Sequence, residues 1–176
     1  MPVAVRRRGP LYQSVVESRR SRIRPVRGSA LPEGVRLRTD LRFIQEVLQR
    51  RHYDAVLHFA AKSIVSESES DPVGYFQNNV AGTLNLLEAM ANSATRNLVF
   101  SSTAAVYGNA DVMPITEAAP VRPVNNYGVS KAICEGLVER LCKKRLLNSV
   151  VFRYFNAAGA HESGEIGEAH EPETHL

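Results

Sequence analysis

An α/β fold built on a parallel sheet is the class this sequence predicts, and three observations predict it. Three short apolar runs, at residues 54–60, 98–100 and 149–154, are rich in strand-forming residues. The stretches between them carry apolar residues at helical spacing. Each run is mostly apolar rather than alternating, the pattern of strands buried on both faces of a parallel sheet.

Taken in order, residues 43–48 (Phe-Ile-Gln-Glu-Val-Leu) read as a helix that leads into the first strand. Residues 66–71 are polar and read as a loop or short helix. A long helix is expected from about Pro72 to Ala91, with the proline suited to its first turn and Val80, Leu84, Leu87 and Met90 facing inward. The second strand, 98–100, is followed by an irregular loop, because Pro114, Pro120 and Pro123 punctuate residues 109–126. A helix from Tyr127 to about Leu147, with Ile133, Leu137, Val138 and Leu141 apolar, leads to the third strand. Residues 159–176 are polar and have no core pattern. There are no internal repeats.

At 176 residues the chain is long enough for one domain with a real core. With 44% hydrophobic and 23% charged residues it belongs with soluble globular chains, and no run reaches the roughly 18 apolar residues of a membrane span. The net charge of +4 is divided unevenly: residues 1–42 hold 11 of the 22 basic residues and only Glu17, Glu33 and Asp40 as acids, so the remainder is acidic. Nucleic-acid binding is not expected of this basic arm, which has no interleaved aromatics for base stacking. Residues 1–38 read as a poorly ordered or atypical lead-in. Cys134 and Cys142, about 12 Å apart along one helix, cannot pair, which suits a reducing cytoplasm. His161, His170 and His175 lack a compact ligand spacing, so no metal is expected.

The chemistry gathers at the strand ends. Ligands of open parallel sheets bind beyond the carboxyl ends of the strands. There the sequence places His58, Phe59, Ala60 and Ala61, then Ser101, Ser102 and Thr103, then Phe155 and Asn156. Tyr127 and Lys131 lie four residues apart at the start of the last helix and share a face. An ammonium beside the phenol lowers its pKa and makes it a candidate general base.

Six stretches, in order, carry a resemblance: 39–42 (Thr-Asp-Leu-Arg), 58–61 (His-Phe-Ala-Ala), 78–83 (Asn-Asn-Val-Ala-Gly-Thr), 101–108 (Ser-Ser-Thr-Ala-Ala-Val-Tyr-Gly), 127–131 (Tyr-Gly-Val-Ser-Lys) and 153–161 (Arg-Tyr-Phe-Asn-Ala-Ala-Gly-Ala-His). With them the chain resembles the extended short-chain dehydrogenase/reductases, and among these the UDP-glucose 4-epimerase family. The resemblance implies a Rossmann-like, doubly wound sheet over residues 39–160, NAD as cofactor and a UDP-sugar as substrate. It casts Tyr127 as the base at the sugar 4-hydroxyl, Lys131 as its partner and a ligand of the nicotinamide ribose, and Thr103 as a hydroxyl bridging sugar and phenol. Cofactor contacts fall to Asp40, Leu41, Phe59, Ala60, Ala61, Asn79, Ser101, Tyr127, Lys131 and Tyr154, and substrate contacts to Thr103, Tyr127, Phe155 and Asn156. For Asn79 a structural reading stands beside this one, a buried amide bonding a neighbouring backbone, and His58 reads as packed structure.

Ala104 and Ala105 occupy the places where related 4,6-dehydratases carry a proton-transferring acid pair, so epimerisation is expected rather than elimination. Other UDP-sugars, an N-acetylhexosamine or a hexuronate, stay open as substrates, as does an inactive fragment. The family's glycine-rich phosphate turn has no counterpart, since residues 1–42 contain only Gly9, Gly28 and Gly34. The chain is accordingly read as truncated at both ends, lacking its first βαβ unit, with residues 161–176 beginning a substrate-binding region. The resemblance also implies a homodimer through the helices near 72–91 and 127–147.

Overall fold

The computed structural model describes residues 40–156 and 162–163. The expectations for residues 1–38 and for His161, His170 and His175 concern residues outside this set, as does that for the cut end at 161–176 apart from residues 162–163.

Helix α1 (Leu41–Arg50) starts where Asp40 turns the chain, its carboxylate accepting the Phe43 backbone N–H at 3.1 Å. Strand β1 (Val56–His58) follows, then the short helices α2 (Val65–Ser70) and α3 (Pro72–Tyr75). The long helix expected from Pro72 is broken by a π-helical stretch, Phe76–Ala81, before α4 (Gly82–Ala91). Strand β2 (Asn97–Thr103) runs into a 3-10 turn (Ala104–Tyr107), and α5 (Asn126–Lys143) leads to β3 (Asn148–Tyr154). Asn125 caps α5 by accepting the Gly128 N–H at 2.7 Å. A left-handed Arg145 ends it, with the paired Leu146 to Leu141 and Arg145 to Cys142 backbone bonds of a Schellman motif.

The three strands are parallel, in the order β1-β2-β3, with Leu57 opposite Val99 and Val99 opposite Val150. Leu87 and Met90 of α4 and Cys134 and Val138 of α5 close over Leu98 and Phe100 of β2, with Leu48 and Leu147 completing the core. Burial of these side chains contributes about 1.5–3 kcal/mol for each large one.

Among the described residues the helices of the core cover one face of this Rossmann-like parallel sheet. Every described helix of the core packs on the Leu98–Phe100 side, while Leu57, Val150, Phe152 and Tyr154 on the other face are 36–51% exposed. A continuous apolar run marks a strand whose two faces are both fit for burial. It does not say which segment covers each face.

Candidate active site

The site is built where β2 ends and α5 begins. Gly128, in the first turn of α5, lets that turn approach the chain leaving β2: a Cβ there would meet the Ala105 carbonyl oxygen at 2.7 Å and the Pro123 side chain at 3.0 Å. This close approach brings Tyr127 to Thr103, whose hydroxyl lies within hydrogen-bonding reach of the phenol and also accepts the Ala105 N–H at 3.1 Å. One turn further, the Lys131 ammonium donates to the Ser101 carbonyl at 2.7 Å and lies over the Phe100 ring, 4.9 Å from its centre. Thr103, Ser101, Tyr127 and Lys131 therefore converge on the carboxyl end of the central described strand, as their spacing predicts.

Their electrostatics differ from the expectation. Burial raises the Tyr127 phenol above its ordinary value, and Thr103 only draws it part of the way back. Lys131 is 3% exposed, and burial pulls its ammonium down to about 8, against the opposing pull of Cys134 and Glu135. The ammonium nitrogen is 6.0 Å from the centre of the Tyr127 ring and is committed to a backbone oxygen. Desolvation disfavours charge on both groups, so the neutral phenol prevails in place of the expected lysine-stabilised phenolate.

At the end of β1, Ala60 is buried, Ala61 half-buried and Phe59 47% exposed. Asn79, 2% exposed, works as a staple: its amide oxygen accepts the Lys62 N–H at 2.9 Å, and its amide nitrogen donates to the Lys62 carbonyl at 3.0 Å and the Ser130 hydroxyl at 3.1 Å. Its polar atoms are spent on protein, which matches the structural reading of this residue. Asn79→Leu would orphan both backbone groups of Lys62 and is expected to cost about 1–2 kcal/mol in urea unfolding. An unchanged midpoint would contradict the staple.

Half-buried Asn78 and Lys62 lie beside that staple; the sequence reading placed Asn78 in the 78–83 stretch without a role and passed over Lys62. Lys62 was signalled by its place directly after the alanine pair. Its ammonium lies 3.5 Å from Glu67 and 3.4 Å from Asp71. His58 is buried, with its ring nitrogen 3.0 Å from the Thr83 hydroxyl, as packed structure.

At the end of β3, Tyr154, paired in register with Thr103, is 41% exposed and Phe155 65%, and Asn156 is exposed. Asp40 and Leu41 have structural tasks in this structure, the first capping α1 and the second packing against the core.

The arrangement offers a phenol, a hydroxyl and an amine for proton transfer. Small residues and a cation stand at the neighbouring strand end. A family model described as GDP-mannose 4,6 dehydratase matches residues 37–173. The UDP-glucose 4-epimerase of Streptococcus mutans is 50% identical over 123 residues, 70% of this chain and 37% of the relative. The UDP-glucose 4-epimerase of Rhizobium meliloti is 48% identical over 136 residues, 77% of this chain and 42% of the relative. The crystal structure of UDP-glucose 4-epimerase from Brucella ovis in complex with NAD superposes with a TM-score of 0.75 at 43% identity, over 78% of this chain and 42% of that one. The chain thus spans about 40% of the length of these relatives. It belongs to the family that the matching model describes, within the extended short-chain dehydrogenase/reductases, and its similarity there is to the UDP-glucose 4-epimerases.

Proposed function

We propose that this site serves the interconversion of UDP-glucose and UDP-galactose. The observation that carries the reading is the convergence of Thr103, Tyr127 and Lys131 at the end of β2, followed by two alanines. Tyr127 takes the proton from the sugar 4-hydroxyl, and Thr103, able to donate and accept at once, aligns that hydroxyl with the phenol. Lys131 supplies the positive charge that favours the phenolate once its amine turns from Ser101 towards a ligand. Ala104 and Ala105 form the 3-10 turn at the site and cannot exchange protons, which favours epimerisation over elimination of water.

The residues present suit NAD. Ala60 and Ala61 leave room for a close approach to the backbone, the Lys62 ammonium and the Asn78 amide offer donors to its phosphate and ribose oxygens, and the Lys131 amine faces the same strand ends. NAD, when bound, supplies the hydride acceptor for the sugar carbon. Phe59 and Tyr154 are the exposed aromatics that would flank it, and Phe155 and Asn156 would meet the substrate diphosphate. Leu84 on α4, expected to face inward, is instead 48% exposed, and with exposed Ile133 on α5 it supports a homodimer through those helices; the free Cys134 and Cys142 suit a reducing cytoplasm.

A chimera tests the chemistry: residues 40–156 replace the corresponding stretch of the Streptococcus mutans relative. Conversion of UDP-glucose to UDP-galactose, followed by coupled galactose detection, is the expected result. A folded, NAD-binding chimera that makes none, or that makes a dehydrated 4-keto sugar, would overturn the reading.

A further inference from the structure

Tyr127 and Lys131 do not exhaust the polar face of α5. One more turn along, Glu135 stands under the same strand end, and three successive turns of the helix meet three successive residues of β2: Tyr127 meets Thr103, Lys131 meets the Ser101 carbonyl, and Glu135 accepts the Ser102 hydroxyl. Arg153 of β3 grips Glu135 through two nitrogens, its Nε 3.1 Å from Oε1 and its Nη2 2.6 Å from Oε2. The remaining guanidinium nitrogen, Nη1, donates to the Tyr107 hydroxyl at 2.9 Å, and the guanidinium lies over the Tyr107 ring, 4.8 Å from its centre. The side chains of the pair are only 22% and 12% exposed. Bidentate pairing with satisfied outer bonds is the geometry in which a sheltered ion pair gives orientation as well as energy.

We propose that Glu135 and Arg153 are a positioning pair for the proton-transfer centre, locking α5 in register over the end of β2 and setting the charge that Lys131 experiences. The role rests on the reading of Tyr127 and Lys131 given above. Arg153, directly before Tyr154 on β3, ties that strand to the helix that carries the lysine, so one ion pair holds the two sides of the site together.

A mere clamp and a charge-setting pair make different predictions. The groups facing Lys131 are Tyr127, Cys134 and Glu135 from its own helix and the Phe100 ring and Ser101 carbonyl from β2. Arg153 from β3 and the Tyr107 hydroxyl from the 3-10 turn act on it through Glu135. Near Tyr127 the further ionisable group is Tyr75, itself bonded to Glu67. Removing the carboxylate takes away a partner that favours the ammonium, whereas removing the guanidinium leaves that carboxylate less neutralised.

The chain has four lysines, so carbon-13 labelling at the lysine side chain resolves Lys131 in the NMR titration of the 176-residue protein, with Lys131→Arg for assignment. Glu135→Gln is expected to lower the Lys131 midpoint by about one pH unit, Arg153→Gln to raise it by a similar amount, and Arg153→Lys to leave it nearly unchanged. If Arg153→Gln does not fold, the neutral pair Glu135→Gln with Arg153→Gln replaces it and is expected to fall below the native midpoint. Shifts of the same sign in both single variants, no shift in Glu135→Gln, or no fall in the neutral pair where it stands in would overturn the proposal. The titration needs neither NAD nor sugar, so its failure is separable from failure of the epimerase reading.

Discussion

Lys131→Met is expected to stabilise the chain by about 2–3 kcal/mol at pH 7, although it deletes a hydrogen bond. The lysine is 3% exposed, and burial depresses its ammonium from an ordinary 10.5 to about 8. That gap corresponds to about 3 kcal/mol of cost to the folded state, at about 1.4 kcal/mol for each pH unit. The bond to Ser101 offsets about 1 kcal/mol of any gain from removing it.

The sign follows from proton counting. Below about pH 8 the lysine is charged in both states and the fold carries the whole cost. As pH rises from about 8 towards 10, the unfolded chain keeps the proton that the folded chain has lost, so native stability increases. Above pH 10 the trend reverses, because buried Tyr127 and Tyr75, both raised, retain protons that the unfolded chain releases. The native urea midpoint should therefore climb relative to that of the Met variant between pH 7 and 10, the Met variant itself falling as the unfolded chain gives up the Cys134 proton that burial retains in the fold. A Met variant no more stable than the native chain at pH 7 would show that the amine is not held at a cost. A buried amine that weakens the fold is consistent with retention for function rather than stability.

Tyr127→Phe, placed in the chimera, is expected to reduce turnover at least 100-fold while leaving NAD affinity within a few-fold, the scale of losing a general base. The ring stays, so its packing and the capped first turn of α5 stay with it. Only the oxygen shared with Thr103 is lost. A loss below tenfold in kcat would assign the base to another group. A parallel loss of NAD binding would make the phenol a binding group.

Much of this was legible in the chain. Tyr127 and Lys131 share a helix face because helical geometry is local, and a four-residue spacing suffices to place them together. The strand ends were legible in part: Phe155 and Asn156 follow β3 as read, whereas the strand read at 98–100 runs on through Ser101, Ser102 and Thr103, because pairing with β3 continues past the last apolar residue. The two asparagines were harder. Asn78 and Asn79 differ in which one turns inward, and the π-helical turn at Phe76–Ala81 shifts the phase of the helix at that point. No 3.6-residue pattern reports such a shift.

The charge state of the site belonged wholly to the tertiary structure. The same Tyr-x-x-x-Lys spacing would lower the phenol's pKa on an open surface with the ammonium at its oxygen. Here the Phe100 ring and the Ser101 carbonyl hold the amine, and burial acts on each group separately, lowering the ammonium and raising the phenol. Likewise Glu135 meets Arg153 only because α5 crosses back over β3, joining residues 18 apart. The sequence by itself determined the element order and the residue types at each strand end, because both depend on neighbours along the chain. Burial and pairing decided which amide faces inward, which charge is suppressed and what grips Glu135, because desolvation depends on groups brought together across the fold.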